Sequence, residues 1–215
     1  MNIKLYNESL DKALAQFTPV PAEEESHFLV QYEADSTKFA LSLLQHNILK
    51  MEADEINLHF LHTEVLRALK VLYIAVRRSV TVTSQLQNVI DKVVMDKFLA
   101  TVSAMRTVAE TKNNDYSPFN IFKMGNLGLA TRIGDKVSRI TNALVAGTQL
   151  KVKYESVIDT ALDLVNYNVF HVMVCLDAWV TPEERSHWQT YLSQNGAPDA
   201  AQVYAFVGNN PITVR

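Results

Sequence analysis

Cysteine is nearly absent from this chain: Cys175 is the one thiol in 215 residues. That excludes an internal disulfide and a cysteine-rich zinc site, and it fits a reducing compartment. A charge excess is missing too. Lys and Arg total 20 against 23 Asp and Glu, a net charge of −3, so nothing in the charge balance points to nucleic acid as the main partner. No apolar run approaches the roughly 20 residues that cross a bilayer, so no membrane partner is expected. The opening MNIKLYNESL lacks the apolar core of a signal peptide. A soluble, cytoplasmic protein is the expectation. Glycine and proline are scarce, six of each, and they cluster. Pro19 and Pro21 mark an N-terminal loop. Pro118, Gly125, Gly128 and Gly134 fall in one stretch, Gly147 stands where a helix should stop, and Gly196, Pro198, Gly208 and Pro211 lie in the tail.

What is present is apolar periodicity. Apolar residues make up 48% of the chain, ample for a core, and between the breaks they recur at three and four, the helical period. The spacing predicts helices near 26–49, 52–78, 84–112, 127–146, 153–179, 182–194 and 199–206. Thr181, Pro182 and Glu184 form a start signal for the sixth. The β-branched segment VRRSVTVTSQL, 76–86, reads as a kink or a short extended piece. The expected class is all-α, a helical bundle with its functional motifs in the C-terminal half. Residues 1–104 read as an N-terminal helical region for packing or oligomerisation, 105–180 as the helical core carrying the motifs, and 181–215 as a C-terminal helical tail. A homo-oligomer built on helices 26–49 and 52–78 is expected, because they offer more apolar surface than one small bundle needs.

Two charged rows stand out. On a wheel of the helix 127–146, Arg132, Asp135, Lys136 and Arg139 share a face beside the apolar stripe Leu129, Ile133, Val137, Ile140 and Leu144. Arg and Lys held at such an edge suit phosphate, Arg by a two-pronged hydrogen bond and Lys as a point charge. Asp135 can fix the rotamer of Arg132 or Arg139. In the next helix Glu155, Asp159 and Asp163 are spaced by four, beside Ile158, Leu162, Val165 and Val169. Three stacked carboxylates repel one another unless a cation offsets them. The cation is either the basic row, through interhelical salt bridges, or a hard metal such as Mg²⁺, which takes one or two carboxylates, waters and a substrate's own phosphates.

The segment KNNDYSPFN, 112–120, reads as a loop after a helix, where binding groups often sit. Elsewhere Glu55, His59 and His62 share a helix face, but no second motif of matching type accompanies them, and ordinary packing or surface histidines explain them.

Lys112, Asn113, Asp115 and Tyr116, then Arg132, Ile133, Asp135, Lys136, Arg139 and Ile140, then Glu155, Ser156, Asp159, Thr160, Asp163, Leu164 and Tyr167 follow one another in an order that resembles the nucleotide modification associated domain family of phage and bacterial proteins. The resemblance covers roughly residues 105–175. The motif set also resembles, more distantly, the all-α nucleoside triphosphate pyrophosphohydrolases of the MazG and dimeric dUTPase group, although the basic helix here offers Asp-Lys-Arg where those enzymes place glutamates. It implies nucleotide metabolism in a bacterium or a phage-infected host cell, and a Mg²⁺-dependent, or Mn²⁺-dependent, pyrophosphohydrolase-like reaction on a deoxynucleoside phosphate. Asp159 and Asp163 would hold the metal, with Glu155 as a further ligand or the base. Lys112, Arg132, Lys136 and Arg139 would bind phosphates, with Asp135 and Tyr167 beside them. Asn113, Asp115 and Tyr116 would read the base or sugar. A non-catalytic nucleotide-binding or sequestering module and a structural helical assembly protein are the alternatives.

Overall fold

Asn2 starts the first helix, its side-chain oxygen accepting the Leu5 N–H at 3.2 Å. This helix, α1 (Ile3–Leu14), was not expected from the sequence, yet it buries Tyr6, Leu10 and Ala13 at helical spacing. The structure is a computed structural model and describes residues 2–49, 58–81, 86–115, 125–147, 156–176 and 186, without the side chains of 44–49, 58, 112–115, 125 and 126. After a 3-10 turn at Ala22–Glu24 come α2 (Glu25–Leu49), α3 (Leu58–Ser79), α4 (Gln87–Asp115), α5 (Gly125–Leu144) and α6 (Val157–Cys175). Among the described residues there is no strand, and the fold is an all-α bundle, as the periodicity predicts. The expected helices 182–194 and 199–206, with the start signal at Thr181, Pro182 and Glu184, lie outside the described residues apart from Ser186. So does 82–85 of the β-branched segment, whose earlier part ends α3 at Ser79.

Contacts between distant residues fix the directions of the helices. Glu25 meets Arg77 and Asp35 meets Arg67, so α2 and α3 run antiparallel. Tyr32 meets Asn168 and Phe39 meets His171, so α2 and α6 run the same way. Thr141 of α5 lies by Leu29, while Arg78, bound to Glu25, donates to the Leu144 carbonyl. The C-terminal end of α5 therefore meets the start of α2, and α5 opposes both α2 and α6. The result is a ring of four, α2, α3, α6 and α5, each antiparallel to its neighbours. Helix α1 lies on α3 and α6, with Tyr6 against Phe170 and Phe17 against Tyr73. Helix α4 covers α3 through Phe98, which packs on Tyr73 and Phe17.

One hydrophobic cluster runs from Tyr6 to Cys175, so residues on both sides of position 104 build the same core. Helix α3 is buried on nearly every side, with Ala68, Leu69, Val71, Leu72, Ile74 and Val76 fully enclosed. The apolar residues of this helix from Leu61 to Val76 are thus packed inside the chain. Burying each large aliphatic side chain contributes about 1.5–3 kcal/mol, so this central helix is where the bundle gains most.

Candidate functional site

Helix α5 forms because Leu129, Ala130, Ile133, Val137 and Ile140 present one apolar face to α2 and α6. It stops before Gly147, whose φ of 67° is the left-handed geometry that favours glycine. The charged row lies along the edge of that face. Lys136 is the deepest member. Its side chain is only 10% exposed, and its Nζ lies 2.9 Å from Oδ2 of Asp163, which is 42% exposed. The interhelical salt bridge considered from the sequence is therefore formed by this pair. Arg139 is half-buried, while Arg132 and Asp135 are exposed. Since α5 and α6 are antiparallel, the Lys136–Asp163 contact sets Arg132 level with the neighbourhood of Tyr167, one turn further along α6, and Arg139 level with Thr160.

Helix α6 begins with a reciprocal cap. The Asp159 N–H donates to Ser156 Oγ at 3.1 Å, and Asp159 Oδ2 accepts from the Ser156 N–H at 3.0 Å and from Ser156 Oγ at 2.8 Å. Asp159 thus has a local structural task that its place in an acidic row concealed. The Ser-x-x-Asp spacing was the signal for it. Replacing Ser156 with Ala should cost about 1 kcal/mol of stability, read by urea denaturation. A loss below a few tenths would show that the cap is idle.

Glu155 and Tyr116 lie outside the described residues. Lys112, Asn113 and Asp115 do not stand in a loop, as expected, but in the last turn of α4, which continues to Asp115. Amphipathic packing through Met105 and Ala109 carries the helix past residues whose local preference is for turns. The end of α4 approaches α6. Tyr6 donates to Asn166 Oδ1 at 2.6 Å and touches Phe170, and both Arg106 and Glu110 of α4 act electrostatically on its hydroxyl, whose pKa is raised chiefly by burial. Thus the outward face of α6, with Asp159, Asp163, Tyr167 and Phe170, has the cationic row of α5 on one side. On its other side is α1, through Tyr6. Tyr167 packs edge-on against Phe170, ring centres 6.2 Å apart.

Among the described residues no group of three or more His, Cys, Asp or Glu is placed to hold a metal ion. Asp159 and Asp163 already have partners within the protein. His59 is exposed and His62 half-buried, and Glu55 lies outside the described residues.

Two polar clusters escaped the sequence reading because their members are far apart in the chain. Buried Glu25 binds both Arg77 and Arg78. Arg67 binds Glu64 at 3.1 Å and Asp35 at 2.9 Å, and lies 4.4 Å over the Tyr32 ring. Tyr32 accepts from Asn168 Nδ2 at 3.3 Å. Burial raises the Glu64 pKa, opposed by Arg67. At Asp35 the desolvation that would raise the pKa is outweighed by hydrogen bonds from Arg67 and Gln31 and by the Arg67 charge, so the net shift is downward. These groups satisfy one another and act as struts between α2, α3 and α6. No described helix is long and apolar enough to cross a membrane.

Comparison with protein families, with curated proteins and with solved structures yields no match to this chain.

Proposed function

We propose that the chain binds a nucleoside or deoxynucleoside polyphosphate along the outward face of α6 and processes it in a pyrophosphohydrolase-like reaction. The observation that carries this reading is convergence. Two polar rows separated in sequence, along α5 and along α6, meet at one seam through the Lys136–Asp163 pair. The motif order resembling the nucleotide modification associated domain family supports the same substrate class.

Lys136 is the centre of the proposed site. Its ammonium is held at the α5–α6 seam by a carboxylate that is itself half-exposed. An arriving phosphate carries more charge than Asp163 and competes with it for Lys136, while Arg132 and Arg139 reach the same anion from one turn above and one turn below. The exchange releases the Asp163 carboxylate next to the bound phosphate. Phosphoryl chemistry is mostly positioning and charge stabilisation, and a Mg²⁺ or Mn²⁺ requirement is expected of it. The ion would bind only after Asp163 has left Lys136, with Glu155 as the further donor.

The second reading is structural. The Lys136–Asp163 bridge and the Asp159 cap are what an assembly protein or a non-catalytic nucleotide-binding module would also contain. Thermal unfolding with a panel of natural and modified deoxynucleoside triphosphates, with and without Mg²⁺ or Mn²⁺, separates the three. A ligand at 100 times its Kd adds about 2.7 kcal/mol, which for a chain of this size raises Tm by roughly 5–10 °C. A rise together with pyrophosphate or phosphate release supports the enzyme. A rise without release leaves a binding module, and no rise for any nucleotide with the protein folded removes the nucleotide reading.

A further inference from the structure

Helix α4 is apolar on two opposite sides. Its inner side buries Val94, Phe98, Val102, Met105 and Ala109 against the bundle. Its outer side carries Val89, Val93, Ala100 and Ala104, all exposed, continued at the N-terminal end by Leu86. Nine large hydrophobic residues are well exposed among the described residues; three of them, Leu86, Val89 and Val93, cluster on this outer face, while Leu99 and Val108 lie on its two flanks. Apolar surface concentrated in this way marks a contact site rather than the scattered exposure normal for a monomer.

We propose that the outer face of α4 pairs antiparallel with the same face of a second copy of this chain. This interface is independent of the nucleotide reading. Charge selects the occupant and its direction. Lys92 and Glu110, both exposed, lie on one flank of the outer face, near opposite ends of it, with Asp96 between them and close to its middle. A two-fold axis near Thr101 sets Lys92 of each copy opposite Glu110 of the other. A parallel pairing would instead put this flank on opposite sides of the two copies, with Lys92 and Glu110 at different heights, and would form no Lys92–Glu110 pair. Size agrees with charge. The bulky end of the face, Val89 and Val93, meets the slender end, Thr107 and Thr111, while Ala100 and Ala104 let the two backbones approach at the centre. An interface of this kind is isologous, the commonest form of homodimer.

Sedimentation equilibrium of the full chain from 1 to 100 µM tests it. The expected result is a mass near twice 24.2 kDa. Ala100→Glu should give a monomer with unchanged helical circular dichroism, because the position is exposed in the single chain. Lys92→Glu should weaken association roughly ten-fold, and Lys92→Glu with Glu110→Lys should restore it. A wild-type monomer throughout this range overturns the proposal and assigns the face to another occupant. A dimer indifferent to Ala100→Glu overturns it as well, by placing the interface elsewhere.

Discussion

Glu25→Ala should lower stability by about 3 kcal/mol, at the lower end of what losing one partner of a buried ion pair costs. Glu25 is buried at the first turn of α2, and both its carboxylate oxygens are engaged. Arg77 donates through Nε at 2.6 Å and through a second guanidinium nitrogen to the same oxygen, and Arg78 donates through Nε at 3.0 Å to the other. Arg78 also donates to the Leu144 carbonyl at 2.6 Å. One carboxylate thereby ties the start of α2 to the ends of α3 and α5. Without it two guanidinium groups stand side by side with no acid between them, and Arg77 keeps only its position over the Tyr73 ring, 5.6 Å away. The expected fall in Tm is roughly 10 °C. Glu25→Gln should cost less, because the amide retains one acceptor. A loss below 1 kcal/mol for Glu25→Ala would show that the clamp contributes little.

The second large effect concerns pH. His171 is buried against Phe39, ring centres 5.6 Å apart, and its Nε2 has no hydrogen-bond partner among the described residues. Burial lowers its pKa from 6.5 to about 4. Between those values the unfolded chain takes up a proton that the folded chain refuses, so the contribution of this group is fully present above pH 6.5 and drains away as pH falls towards 4. At 1.36 kcal/mol per pH unit the loss amounts to about 3 kcal/mol. Nearby Cys175 does not blur the window, since burial pushes its thiol up to about 12. Urea midpoints measured from pH 7.5 to 4 for wild type and His171→Leu isolate the effect. The variant should lose less stability over this range, by about 3 kcal/mol. Parallel curves for the two proteins would show that His171 is not held neutral.

The elements that set these effects differ in how plainly the sequence announces them. Helices α5 and α6 are legible because their apolar residues recur at three and four and because Gly147 supplies a stop. Their charged rows are legible for the same reason, as is the Lys136–Asp163 option, since periodicity reports which residues share an edge. The clamp at Glu25 is not legible. Its partners lie more than fifty positions away, and helical spacing carries no information about contacts between helices. Helix α1 shows the opposite failure, for the Asn2 cap and the Tyr6, Leu10 and Ala13 spacing are signals the sequence does carry. At Lys112–Asp115 tertiary packing overrides local preference, and α4 runs on through residues suited to a turn. Asp159 stands in a row of three acids, whereas its nearest geometry is the Ser-x-x-Asp cap.

The central claim is that Lys136 exchanges Asp163 for a nucleotide phosphate. Calorimetric titration of a deoxynucleoside triphosphate into wild type, Asp163→Asn and Lys136→Met tests it most directly. The account predicts binding to wild type, binding at least as tight to Asp163→Asn, where the competing carboxylate is gone, and a loss of ten-fold or more in Lys136→Met. Equal affinity in all three proteins, or tightest binding in Lys136→Met, would contradict it.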